Sequence, residues 1–345
     1  MLALKKMAPE PGLSLVDAPE PRVVEPDDVV IEVVAAGVCG SDVHVYEWTA
    51  GYDFMRSRLP VTLGHEFAGR VVDVGSAVKH LHAGQAVVVM PTTTCMSCAH
   101  CLSGQFDQCL TRTTTGLTKD GAFARFVTVP ARACFELSPG TDLSLAALVE
   151  PLCIGDNAAD IANVRLGDTV LVIGPGAIGQ SIVLAAAWRG AARIIVVGLN
   201  DEPRLSVAAQ LGATDMIDLS REKDLTQAVL KLTGQQPVDL VFEATGNPQS
   251  INDGLTVLKR SGTLVAAGIH AQALTLDLTS FVRNRHSLKA AHGSKRESWQ
   301  RMVKKIMQSP DEIRPMISRE LALQDALHAF ELCVQRQVSK VILRP

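Results

Sequence analysis

Four of the eight cysteines fall in one short stretch, TTTCMSCAHCLSGQFDQCL (92–110), as Cys95, Cys98, Cys101 and Cys109. Their spacing is C-x2-C-x2-C-x7-C. Thiolates two residues apart can converge on one tetrahedral ion, and four sulfurs suit Zn²⁺. A site closed by four sulfurs leaves no position for a substrate, so it braces the chain rather than reacting. An iron–sulfur cluster also takes four cysteines, but the fourth spacing does not match the common ferredoxin runs. Redox-active CxxC pairs would need a thioredoxin-like strand–helix–strand context, which is absent here.

Reactive chemistry is expected elsewhere. GVCGSDVHVYEW (37–48) and LGHEFAGRV (63–71) each end a β-rich run beside glycine with a metal-ligating residue, Cys39 and His65. Glu66 follows His65, and Glu150 stands in ALVEPL (147–152). A catalytic zinc needs about three protein ligands and one open position. Cys39, His65 and one of the two glutamates meet that need.

A third signal is Gly174-Pro175-Gly176-Ala177-Ile178-Gly179, a G-x-G-x-x-G that follows an apolar run and opens a helical one. In that context the glycines allow a tight turn, close approach of backbone to a pyrophosphate, and packing of helix on strand. The free N–H groups of the helix start then face the phosphates. The carboxylate that usually binds the adenosine ribose, about 20 residues on, is missing. Gly198, Leu199 and Asn200 stand there, with Asp201 and Glu202 slightly late and Arg204 beyond. Either NAD or NADP is compatible with this pattern.

These residues need two kinds of scaffold. Up to about residue 150 the chain reads as strands: 29–38, 67–75 and 85–91 are β-branched runs closed by Gly or Pro. From 168 the rhythm changes to strand (168–174), helix (177–190), strand (192–198), helix (203–212), short strand (215–218), helix (222–234) and strand (238–246). A helix to about 260 and strands at 262–268 and 287–293 follow. Apolar strands alternating with helices imply a parallel sheet covered on both faces. The tail, 294–345, mixes helix and strand and could complete either part.

The chain has 345 residues, 47% hydrophobic and 20% charged, with a formal net charge of −3. About two domains are expected. No block of like charge suggests a nucleic-acid or anionic-membrane surface. No apolar run reaches the roughly 18–20 residues of a membrane span, and MLALKKMAPEPGLSL (1–15) has no continuous apolar core of signal-peptide length. A cytoplasmic protein with reduced thiols is expected.

Together GVCGSDVH, GHEFAGRVVDVG, the four-cysteine lobe, LVEPL, GPGAIG and ATG (244–246) resemble, in order and over nearly the whole length, a zinc-dependent medium-chain dehydrogenase. The likeness is to the sorbitol and threonine dehydrogenase branches. It implies an α/β fold, a doubly wound parallel Rossmann sheet inserted in a β-rich GroES-like catalytic domain. The implied domains are 1–153 (with the zinc lobe at about 92–112), 154–287 for the dinucleotide, and 288–345 returning to the catalytic domain. It implies one catalytic and one structural zinc per chain, NAD or NADP, a small-molecule alcohol as substrate, and a homotetramer or homodimer.

Carried over by position, the resemblance makes Cys39, His65 and Glu66 catalytic-zinc ligands. Glu150 either binds that zinc or holds a zinc-bound water. Ser41 and His44 match residues that relay the substrate's proton. Gly174, Gly176, Ala177, Ile178, Gly179, Gly198, Arg204, Thr245, Ile269 and Lys340 match cofactor contacts, Lys340 at the pyrophosphate. The implied reaction is reversible oxidation of a secondary alcohol of a polyol or sugar, with hydride passing to nicotinamide. L-Threonine 3-dehydrogenase is the alternative activity. A non-catalytic nucleotide-binding protein is the alternative of a different class, and the presence of Cys39, His65, Glu66 and Glu150 weighs against it. Trp48, Tyr52, Phe54 and Phe281 could line a substrate pocket. Arg283, Arg285, Lys295 and Arg296 read as a solvated face, and Cys134, Cys153 and Cys333 as packed thiols.

Overall fold

The computed structural model describes residues 1–49 and 51–345. Near the N-terminus, strands Leu2–Lys6, Ser14–Asp17 and Val61–Thr62 form a small antiparallel sheet. The first large sheet begins with β1 (Asp28–Gly37), which leads into helix α1 (Gly40–Glu47). It continues with β2 (Glu66–Val74), β3 (Ala86–Val89), β4 (Phe126–Pro130) and β5 (Cys134–Glu136). The β-branched sequence of β1 buries one face completely (Val29, Ile31, Val33, Ala35 and Gly37) and part of the other, while strands pair with both its edges.

Helix α2 (Val149–Ala162) carries the chain into a second unit. Its elements are β6 (Thr169–Ile173), α3 (Ala177–Trp188), β7 (Arg193–Gly198), α4 (Glu202–Gln210) and β8 (Asp215–Asp218). They are followed by α5 (Leu225–Leu232), β9 (Val238–Glu243), α6 (Pro248–Val257), β10 (Leu258–Ala266) and β11 (Ser287–Ala290). The six strands lie parallel in the order β8-β7-β6-β9-β10-β11. Strand order reverses between β6 and β9, so a crevice opens beyond their C-terminal ends, where ligands bind in such sheets.

Finally α7 (Arg296–Gln308), β12 (Ile317–Ala322) and β13 (Lys340–Arg344) close the chain. The tail completes the first sheet: the order is β5-β3-β2-β1-β13-β12, with β4 also on β1. Meanwhile α7 packs on α2. One core fills the β-rich unit around Val29, Ile31, Phe67 and Phe330; another spans α2, α3, α7 and the parallel sheet around Trp299, Ile182 and Phe242. Buried Asp156 of α2 pairs with Arg189 past the end of α3 at 2.7 Å and with Arg301 of α7, whose Nε lies 3.0 Å from it. That network pins three helices together.

The expected helix to about residue 260 is corrected. α6 stops at Val257, and Leu258 already pairs with Val238 before a bulge in the register. Burial of Leu258 beside β9 outweighs the local helical pattern.

Candidate active site

Cys39 stands at the N-cap of α1, just after β1. Its backbone N–H donates to Asp42 Oδ2 at 3.0 Å, which sets the turn from strand to helix. His65 lies immediately before β2, and β1 pairs with β2 so that Gly37 faces Glu66. Pairing of neighbouring strand ends therefore brings Cys39, His65 and Glu66 together, with one ligand atom of each within 4.8 Å of the others. Ser41 Oγ lies 3.2 Å from His65 Nε2. Glu150, in the first turn of α2, lies outside this tight group. It is close enough that, after burial itself, the charge of Glu66 is the main influence raising its carboxyl pKa to about 7.

The electrostatics suit a cation. Burial, and then the Glu66 charge, push the Cys39 thiol up. Burial alone would drive the His65 ring toward neutrality, but Asp42 and Cys39 outweigh it and hold its pKa well above normal. A sulfur, an imidazole and a carboxylate converging within 4.8 Å form a donor set that fits Zn²⁺. Asp42, missed in the sequence, is fully buried and lies 3.4 Å from His65 Nδ1, too poorly aligned for a hydrogen bond. It is placed to orient the imidazole, as carboxylates behind metal-ligating histidines do. The only trace of it in the sequence is its position three residues after Cys39.

Glu66 has a second engagement. Lys340 of β13 donates to Glu66 Oε1 at 2.8 Å, to Oε2 at 2.6 Å and to the carbonyl of Val38 at 3.0 Å. The pair is sealed, with side-chain exposures of 1% for Lys340 and 0% for Glu66. The expected contact of Lys340 with a cofactor pyrophosphate is therefore corrected. All three ammonium donors are spent inside the protein, because β13 docks against β1 directly beneath Glu66.

His44 shares a face of α1 with Ser41, three residues earlier. Its Nδ1 lies 3.0 Å from Thr49 Oγ1, and its ring stacks on Tyr52 at 6.0 Å. Tyr52 in turn lies tilted against Phe54, with ring centroids 6.0 Å apart. Burial, followed by the charges of Cys39 and Asp42, raises the Tyr52 phenol pKa. Tyr52 is thus the aromatic tied most closely to the ligand cluster. Trp48 is covered by Lys6 and Arg56, while Phe281 packs edge-on against His286. Arg296 stacks over Phe135, and Arg283, Arg285 and Lys295 are exposed. Cys134 and Cys153 are buried and Cys333 is half-buried, all with raised thiol pKa values caused first by burial.

The four-cysteine lobe is equally well formed. Cys95 Sγ lies 3.6 Å from Cys109 Sγ and 3.8 Å from Cys101 Sγ. All four sulfurs fall within 4.8 Å, and none is in a disulfide. Sulfurs bound tetrahedrally at about 2.3 Å from zinc stand roughly 3.8 Å apart, so the cage has the size of the ion. A backbone hydrogen bond at Ser97 leads the influences lowering the Cys95 pKa to about 5, favouring a thiolate.

At the crevice, the glycine loop joins β6 to α3. Gly174 has φ +110°, and a Cβ there would lie 2.8 Å from Thr245 Cγ2. At Gly179 a Cβ would sit 1.8 Å from the Gly174 carbonyl oxygen, so helix and strand could not close. At Gly176, by contrast, only Arg204 Nη1 comes near, at 3.6 Å, leaving the backbone approachable. Ala177 and Ile178 open α3. Gly198 packs under Pro175 and Leu205. Thr245 caps the end of β9 through Glu243, its hydroxyl 2.6 Å from Oε1, and Ile269 borders the same end with its carbonyl beneath Gly246. His270, which no sequence pattern marked, lies 2.8 Å from the other oxygen of buried Glu243.

Comparison with known proteins agrees with this geometry. Residues 25–139 match the alcohol dehydrogenase GroES-like domain, and residues 177–308 match the zinc-binding dehydrogenase family. The chain is 33% identical to L-threonine 3-dehydrogenase of Bacillus licheniformis over 351 residues, covering 100% of this chain and 99% of the relative. Among solved structures it is similar to 2R,3R-butanediol dehydrogenase from Bacillus subtilis (TM-score 0.88, 26% identity, 100% and 99% of the two chains). It is also similar to a zinc-binding dehydrogenase from Sinorhizobium meliloti bound to NADP (TM-score 0.88, 27% identity, 100% and 99%). With a GroES-like unit, a Rossmann sheet, a four-sulfur cage and a full-length match to such enzymes, the chain belongs to the zinc-dependent medium-chain dehydrogenases, oxidoreductases that use zinc and NAD(P).

Proposed function

We propose that the chain catalyses reversible oxidation of a secondary alcohol flanked by further hydroxyls, in a polyol or sugar-derived substrate, to the ketone, with hydride passing to nicotinamide. The observation that carries this reading is the convergence of Cys39, His65 and Glu66 within 4.8 Å, with the Ser41 hydroxyl 3.2 Å from His65. Cys39 and His65 hold the catalytic zinc, with Glu66 or Glu150 as the carboxylate. Zinc there supplies Lewis acidity toward the substrate oxygen. Ser41 accepts the substrate's hydroxyl proton, and His44, on the same face of α1, takes it toward solvent. Asp42 keeps the His65 ring in register, and Tyr52 borders the substrate's far side.

The competing substrate is L-threonine, favoured by the 33% identity to a threonine dehydrogenase. A panel of polyols, sugar acids and L-threonine on purified enzyme separates the two. Turnover of hydroxyl-rich compounds supports the first reading, exclusive turnover of threonine supports the second, and inactivity on all of them overturns both.

The division into 1–153, 154–287 and 288–345 is part of the same proposal, supported by the two large sheets, except that β11 pairs in the parallel sheet through Ala290 and so moves the last boundary past that residue. Self-association as a dimer or tetramer is supported by β11, an edge strand whose four residues are all exposed beside exposed Leu278 and Val282. Among the described residues no helix is long and apolar enough to cross a membrane, in keeping with a cytoplasmic location.

A further inference from the structure

The geometry beyond β7 points to the 2′-phosphorylated dinucleotide, NADP(H), as the cofactor, with Arg204 and the first turn of α4 as the surface that recognises the phosphate. This rests on the reading that the glycine loop holds a dinucleotide.

Selection of NAD relies on a carboxylate at the end of the second strand, free to accept the adenosine ribose hydroxyls. Here β7 ends at Gly198, and the next side chain is the apolar Leu199, 58% exposed. Three carboxylates stand nearby, and each is engaged. Asp201 is 2% exposed at its side chain, and both its oxygens accept from Arg204 Nε, at 2.7 and 2.9 Å. Arg204 Nη2 donates to it as well. Asp218 at the end of β8 spends Oδ1 on the backbone N–H groups of Asn200 (2.8 Å) and Ser220 (2.9 Å). Glu202 is drawn to Arg221, 3.5 Å away. The ribose hydroxyls of NAD therefore meet no carboxylate at the end of β7 itself, and the nearest buried one, Asp201, is wholly taken by Arg204.

A 2′-phosphate meets the opposite situation. Asp201 grips one edge of the Arg204 guanidinium and fixes its plane, so the residue is pre-organised rather than a mobile surface arginine. The remaining nitrogen, Nη1, has no hydrogen-bond partner among the described residues. It stands over the phosphate loop, 3.6 Å from where a Cβ on Gly176 would be. Asp201 occupies the N-cap of the nine-residue α4 yet makes no side-chain cap bond, because its carboxylate is turned to Arg204. Pro203 has no N–H, so the first-turn amides of Glu202 and Arg204 are those left for an anion. The fixed arginine edge and the uncapped helix converge on one side of the loop, and Leu199 adds no repelling charge.

The test is fluorescence titration of the zinc-loaded enzyme with NADPH and with NADH, without substrate, and competition by 2′,5′-ADP and 5′-AMP. The expected result is a Kd at least tenfold lower for NADPH, with 2′,5′-ADP the stronger competitor. Leu199→Asp, which restores the missing carboxylate on an exposed position, is expected to weaken NADPH by at least tenfold and to strengthen NADH. Arg204→Gln is expected to weaken NADPH selectively. Equal or tighter binding of NADH by the parent enzyme overturns the inference, and so does an equal loss for both cofactors in Arg204→Gln. Binding of neither cofactor overturns the dinucleotide reading itself, and this inference with it.

Discussion

Lys340→Met separates a structural lysine from a cofactor-binding one. In the parent, the Lys340 ammonium and the Glu66 carboxylate form an ion pair shut away from water, with three hydrogen bonds from Lys340 in all. Methionine fills nearly the same space but leaves the Glu66 charge buried without a partner. Breaking a buried pair by removing one member costs about 3–5 kcal/mol, whereas an exposed pair would cost about 0–1 kcal/mol. A loss of that size lowers the melting temperature by on the order of 10 °C. The companion variant Glu66→Gln/Lys340→Met removes both charges and is expected to recover much of the loss, with a coupling energy of up to about 3 kcal/mol in a double-mutant cycle. Urea unfolding of the parent, both single variants and the double variant reads the cycle. Titration with reduced cofactor in Lys340→Met is expected to stay near the parent value wherever the protein is folded. Stability within about 1 kcal/mol of the parent, together with a selective loss of cofactor affinity, would refute the sealed-pair account and return Lys340 to the pyrophosphate.

The remaining expectations concern the metal sites and the helix network. Cys39→Ser is expected to abolish turnover and to reduce zinc from two ions per chain to one, with cofactor affinity nearly unchanged because the crevice is untouched; metal analysis showing no loss of zinc overturns the ligand assignment. Cys98→Ser removes one wall of the four-sulfur cage and is expected to lose the other zinc and lower the melting temperature, and a variant with full metal content and normal melting contradicts the cage. Asp156 gives a pH dependence. Burial pushes its carboxyl pKa up, but hydrogen bonds from Arg301, Ser298 and Arg189 outweigh it and hold the pKa below the ordinary value. A depressed folded pKa means that its contribution is complete above the unfolded value of about 3.9 and is lost as pH falls through the folded value. Asp156→Asn is therefore expected to be less stable than the parent at neutral pH, with the gap closing in acid. Urea unfolding between neutral pH and about pH 3 checks this, and a gap that widens in acid contradicts it.

Much of the architecture is legible because its signals are local. β-Branched runs such as VVIEVVAAGV and DTVLVIG become strands at nearly the expected limits, and the glycine loop sits between strand and helix as its pattern requires. The four-cysteine cage is legible for the same reason, since its ligands are near neighbours in sequence. Local signals fail where a distant partner decides. Leu258 reads as helical until β9 is there to pair with it. Asp201 and Arg204 read as separate charges on a helix start, although they form one nearly buried ion pair.

Lys340 shows the same limit at the proposed catalytic site. In the sequence it is one basic residue near the C-terminus, and nothing local says whether it faces the crevice or the interior. The decision is made by register: β13 pairs with β1, Ile342 opposite Gly37, while Gly37 also faces Glu66 across the β1–β2 ladder. Two strand pairings at one residue thus bring the chain's last strand beneath the ligand cluster. A Cβ at Gly37 would lie 2.4 Å from Glu66 Oε2 and 3.4 Å from Lys340 Cδ, so a larger residue at that crossing would have to push the Glu66 carboxylate aside. The tail therefore does more than complete a sheet. It supplies a buried ammonium that pairs with Glu66 beside Cys39 and His65, in a place where burial and its neighbours press Cys39 and Glu150 toward their neutral forms. The Cys39–His65–Glu66 cluster is consequently backed by a strand from the far end of the sequence.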